Sequence, residues 1–155
     1  MKAYEHTLAL LALAYFIPVI MAMGGSLGLQ SSTIVVRGLA TGDIALSKAF
    51  RIITGEFCIG GVIGLLAGVV TGAMALLMHL GVPGAFTLGL IVFLSMMMSL
   101  CVAATMGALT PLALQRFKMD PAVASGPLIT AVNDVVNVTI YLTMATLLIV
   151  KTAPR

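Results

Sequence analysis

The chain has 155 residues, of which 61% are hydrophobic and only 8% charged, with 8 Lys+Arg against 5 Asp+Glu. Soluble domains use about 25% charged residues to cover their surface, so this composition excludes a soluble enzyme, a nucleic-acid reader and a disordered tail. The formal charge of +3 is spread thinly along the sequence, and such cations act as topology signals rather than as a phosphate-tracking surface.

A helix that crosses a bilayer needs about 20 apolar residues. Four segments qualify: about 8–30, 55–79, 86–117 and 121–150. None alternates apolar and polar residues, so β-barrel spans are not expected. The expected fold class is an all-α integral membrane protein with four transmembrane helices. The polar connection Arg37 to Arg51 fits a short amphipathic helix, Gly81, Pro83 and Gly84 form a turn, and Arg116-Phe-Lys-Met-Asp120 joins the last two spans. The fourth helix is expected to start with Asp120 as N-cap and Pro121 as its first residue. The alternative of a cleaved signal peptide over Leu8 to Met23, behind Lys2, is opposed by Glu5 and by Met23-Gly24-Gly25, a poor cleavage site.

Four crossings put both termini on one side. Arg37, Lys48, Arg51, Arg116 and Lys118 then share the opposite side, while Lys2, Lys151 and Arg155 lie with the termini. The positive-inside rule predicts a cell-membrane protein with both termini outside.

Gly60, Gly64, Gly68 and Gly72 form a small-residue stripe on the second span, and Ser95, Ser99, Ala103 and Gly107 repeat that spacing on the third. Helices in lipid associate through close van der Waals approach, so these stripes are expected to pack against each other, within the chain or between subunits. Pro18 and Pro111 are expected to kink their helices. Eleven methionines, among them Met21, Met23 and Met96 to Met98, raise the idea of a Cu(I) site. Three consecutive helical residues point three ways, however, and methionine is a common gap-filler. Cys58 and Cys101 suggest neither a disulfide nor zinc. His6 and His79 fall at the outer boundary as solvated polar residues. Glu56, near a helix start, suits the helix dipole as well as it suits ion entry.

Asp134 is the informative residue. It lies fourteen residues beyond Asp120, roughly 20 Å along a helix. An ionised carboxylate facing lipid there costs at least about 2.5–3.5 kcal/mol. Thr130, Asp134, Asn137 and Tyr141 are spaced by four, three and four residues, with Asn133 alongside and Gly126 continuing the line. That spacing makes one polar stripe, read as the wall of a wet cavity rather than as helix glue. No Lys or Arg lies in the interior of the spans to neutralise Asp134, so its counter-charge is a permeating cation or a proton. A twofold dimer would bring two such carboxylates to its axis, matching a divalent ion. Magnesium, which keeps several waters when bound, suits the neighbouring amides, hydroxyls and glycine as outer-sphere partners.

The segment FIPVIMAMGGSLGLQSSTIVVRGLATGDI, from Phe16 to Ile44, and Asp120-Pro-Ala-Val-Ala-Ser-Gly-Pro-Leu followed by Asp134 resemble the MgtE magnesium channel family. The first resembles its second transmembrane helix and the loop that follows, the second its last helix. The likeness covers nearly the whole chain and corresponds to the last four of five membrane helices. It implies a homodimer with a divalent-cation pore at the subunit interface and Mg2+ as the transported ion. Asp134 would be the selectivity site, Asp120 an acid at the cytoplasmic pore mouth, and Asn133, Thr130, Gly126 and Asn137 pore lining. Where relatives commonly read Gly-Gly-Asn, this chain has Gly24-Gly25-Ser26, expected to keep a polar loop role without the amide. Nothing resembles the family's cytosolic N-terminal and CBS sensor domains, its connecting helix or its first membrane helix.

Two other readings compete with passive Mg2+ permeation: a proton-coupled small-cation exporter using Asp134, and a membrane assembly subunit in which Asp134 pairs with a partner. An enzyme is not expected, since no nucleophile–base pair or metal-ligand cluster appears. Nucleic acid is not an expected partner; lipid is.

Overall fold

The computed structural model describes residues 2–82, 84–124 and 126–152, with the backbone alone at 2–11, 124 and 150–152. Pro83 and Ser125, and the side chains of Lys2, Glu5, His6, Lys151 and Arg155, lie outside the described residues. Four helices follow one another: α1 Lys2–Thr41, α2 Ala49–Met78, α3 Ala85–Arg116 and α4 Pro127–Thr152. A 3-10 turn at Leu46–Lys48 precedes α2 and another at Pro121–Ala124 precedes α4. Each helix contains a stretch long and apolar enough to cross a membrane.

The first helix does not stop near Gln30. It runs to Thr41, because its far end has apolar surface to bury. Val35 packs with Ala108 and Leu112 of α3, and Leu39, Ile44, Ile52 and Ile53 close over them. Thr33, inside this stretch, satisfies its hydroxyl by donating to the Leu29 carbonyl at 2.8 Å. The helix ends at Gly42, whose φ of 78° is open to glycine without strain. The Ile44 N–H then closes on the Gly38 carbonyl at 2.9 Å, satisfying one of the last orphan acceptors. The expected amphipathic connector shrinks to the short turn at Leu46–Lys48, and Arg51 and Glu56 fall inside α2.

The fourth helix starts later than its first proline suggests. Asp120 Oδ1 accepts from the Ala122 N–H at 2.9 Å, but this caps the turn at Pro121–Ala124. The chain then passes through Gly126 at φ 76°, and Pro127 opens α4. A residue before proline is driven out of the α region, and proline at the first helical position gives up only an orphan N–H. Of the two prolines that could begin the helix, the one behind a glycine does so. Asp134 is therefore seven residues into α4, roughly 10 Å from its start rather than 20 Å.

The glycine stripe of α2 does pack on α3 of the same chain, in the most extensive helix pairing of the fold. A methyl at Gly60 would stand 2.6 Å from the Leu100 carbonyl oxygen, one at Gly64 2.8 Å from that of Met97, and one at Gly72 2.9 Å from that of Gly89. The second stripe is not its partner. Ser95, Ser99, Ala103 and Gly107 are buried on another side of α3, where Gly107 lies directly on the backbone of Gly28 in α1. At 100° per residue, positions 95, 99, 103 and 107 centre about 110° around the helix from 93, 97, 100 and 104. The two stripes thus let α3 be approached closely from two sides, and it becomes the centre of the bundle.

Ile91, Val92, Met96, Leu100 and Ala104 of α3 form the main core with Phe16 and Ile20 of α1 and Tyr141 of α4. The methionine run splits as a helix requires: Met96 is buried in this core, Met97 backs Gly64, and Met98 is exposed. Cys58 and Cys101 are both free thiols. His79 Nδ1 lies 3.0 Å from the Ala75 carbonyl, a bond its Nδ1–H tautomer donates within the same helix.

Candidate functional site

One face of α4 is buried: Ile129, Asn133, Tyr141 and Ala145, with Asn137, recur every four residues and lie against α1 and α3. Thr130 and Asp134 stand on the rim of that face, half-buried. The expected single polar stripe is thus two adjoining lines. Thr130 and Asp134 meet at Gly25 of α1, where a Cβ would stand 3.3 Å from Asp134 Oδ1 and 3.3 Å from Thr130 Cγ2. Asn133 and Asn137 point inward, Asn133 against Gly28 and Asn137 against Gly24, and within one chain neither amide faces open space. Tyr141 leaves the group altogether and donates its hydroxyl to the Leu13 carbonyl at 2.8 Å.

Gly24-Gly25-Ser26 is therefore mid-helix and not loop. Gly24 and Gly28 are one turn apart, a small-xxx-small pair that lets α4 approach α1 closely. That spacing was visible in the sequence, yet its partner was not: the glycines match the amides of α4, and only the fold brings the two segments together. Ser26 is exposed beside Gly25, and Gln30, Thr33 and Arg37 continue an outward polar line along α1.

The Asp134 carboxylate makes no ion pair among the described residues. Thr130 is held by donating to the Gly126 carbonyl at 3.3 Å, at the first turn of α4. Asp120 is exposed and lies on the far side of the break at Gly126, so it does not share a helix with Asp134. Glu56, which the sequence left open, is tied down: buried Ser31 of α1 donates to its Oε2 at 2.6 Å. No group of three or more His, Cys, Asp or Glu side chains among the described residues could grip a bare metal ion. What the rim offers is one carboxylate, a hydroxyl and the close backbone of Gly25, a donor set suited to an ion that keeps its water.

The family described as MgtE, divalent cation transporter, matches residues 17–144. The magnesium transporter MgtE of Thermus thermophilus is 37% identical over 157 aligned positions, covering 96% of this chain and 32% of the relative. That of Bacillus subtilis is 35% identical over 135, covering 87% of the chain and 29% of the relative. That of Enterococcus faecalis is 36% identical over 139, covering 87% and 29%. The chain spans about a third of the length of these relatives. With its four apolar helices and a match over most of its length, this chain is a membrane protein of the MgtE family of divalent cation transporters.

Proposed function

We propose that the chain forms a passive pathway for hydrated Mg2+, built at the interface of a homodimer, with Asp134 as the selectivity site. The observation that carries this reading is the placement of Asp134: a half-buried carboxylate on a membrane-spanning helix, at the rim of the α1–α4 contact, with no cationic partner among the described residues. Such a group is costly in lipid, and a shared aqueous path at a twofold axis relieves the cost. The exposed polar line of Ser26, Gln30 and Thr33 on α1 supports the same placement, since these groups too need something other than lipid. Two protomers supply two carboxylates, −2 in total, against a +2 ion whose waters hydrogen-bond to Asp134, Thr130 and nearby backbone carbonyls. Within this pathway Asp120 attracts cations at the cytoplasmic mouth, Gly126 and Thr130 line the entrance, and Asn133 and Asn137 hold the wall from behind. The relatives that match this chain are magnesium transporters by name, which favours magnesium over other divalent ions. Both termini face outward.

The test is uptake into proteoliposomes containing a Mg2+-sensitive dye, with no pH gradient imposed. Asp134→Asn is expected to abolish uptake while cross-linking still reports the dimer. Undiminished uptake by the variant would remove Asp134 from the site, and wild-type flux that needs a proton gradient would favour an exporter.

A further inference from the structure

Behind the wall that carries Asp134 lies a second polar group. Ser95, Ser99, Asn133 and Asn137 are between 0% and 1% exposed, and their six side-chain polar atoms make no hydrogen bond among the described residues. The helix register stacks them in one column. Ala103, Gly107 and Asn133 all meet at Gly28, and Asn137 meets Gly24. Because α3 and α4 are antiparallel, the step from Asn133 to Asn137 runs along α3 from the Ala103–Gly107 turn toward Ser99. The next step, to Tyr141, continues toward Ser95.

Buried polar atoms are nearly always paired, because one left without a partner forfeits the hydrogen bonds it made to water. A second protomer cannot supply the partners, since none of these groups reaches the surface. The chemistry of the atoms selects the occupant. A metal cation would satisfy only the two amide oxygens and the hydroxyl lone pairs, leaving two amide NH2 groups unpaired. An anion would do the reverse. Water donates and accepts, and takes two to four such partners.

We propose that Ser95, Ser99, Asn133 and Asn137 form a water-binding pocket inside each protomer, enclosed by α1, α3 and α4 and separate from the Asp134 rim. Its waters bridge the hydroxyls of α3 to the amides of α4 and hold the back of the helix whose rim bears Asp134. The pocket does not depend on what Asp134 binds.

Hydroxyl-radical footprinting with pulsed X-rays tests this, because radicals made from bound water label side chains that bulk solvent cannot reach. Tyr141 is fully buried and one turn along α4 from Asn137, so its ring is expected to be modified in the folded wild type, several-fold faster than buried Phe16. The Ser95→Val, Ser99→Val double variant is expected to lose that labelling. Tyr141 as inert as Phe16 in the wild type would overturn the proposal without any variant. So would an experimental structure in which both amides bond directly to protein groups with no water between α3 and α4.

Discussion

Gly25 and Asp134 face each other across the α1–α4 contact, with room for a hydrogen but little more: a Cβ on Gly25 would sit 3.3 Å from the carboxylate oxygen. The distance is tight yet not impossible, so the size of the substituent decides the outcome. Gly25→Ala is expected to fold normally and cut Mg2+ uptake several-fold. Gly25→Val is expected to abolish uptake, since its branched side chain displaces the carboxylate. Initial uptake rates in proteoliposomes measure both, and a wild-type rate for the valine variant would separate Gly25 from the ion path.

The α2–α3 pairing should respond to bulk according to what each glycine touches. Gly60 abuts the Leu100 carbonyl and the Cys101 Cα, backbone that cannot rotate away. Gly60→Leu is expected to lose about 1–3 kcal/mol, the usual range for overpacking a close contact. Gly55, on the same helix with nothing within 4 Å of a built Cβ, is the matched control. Gly55→Ala is expected to be neutral or to gain about 0.5–1 kcal/mol from helix propensity. Thermal unfolding in detergent should separate the two.

Ser31 and Glu56 give a polar tie between α1 and α2 near the ends that the Gly42–Lys48 connection joins. Ser31→Ala leaves the half-buried carboxylate without its donor and is expected to lower stability by about 1–3 kcal/mol. Glu56→Gln keeps an acceptor oxygen and is expected to stay close to wild type. If both variants abolished uptake while leaving the melting temperature unchanged, Glu56 would belong to the ion path and not to the scaffold.

Asp120 is exposed, so its effect on a cation should be long-range and screened. Asp120→Asn is expected to slow uptake at low ionic strength, with the difference from wild type shrinking as salt shortens the Debye length to about 10 Å at 0.1 M. Uptake rates across a salt series measure this. A deficit that does not change with salt would point to direct coordination instead.

The fold class was legible because lipid is a demanding solvent: four apolar runs of spanning length, thin charge and unbroken small-residue stripes admit few other arrangements. Asp134 stood out for the same reason, as an acid in a span that offers no cation. Helix ends were less legible. Pro121 and Pro127 both look like first helical residues, and Gly126 settles the start only through a backbone conformation that composition does not announce. The polar tail of α1 reads as a connector until Val35 finds Ala108 and Leu112.

The sequence by itself determined which residues must avoid lipid, since that follows from the transfer cost of each side chain. Only the tertiary structure decided which surface each of them meets. Spacing along one helix cannot say that the Gly60 stripe faces Met97 and Leu100 while Gly107 of the Ser95 stripe meets Gly28 of α1, nor that Asn133 and Asn137 turn inward as Asp134 stays at the rim. Those choices depend on how α1, α3 and α4 approach one another, and each approach is set by glycines whose partners lie far away in the chain, as Gly24 and Asn137 do.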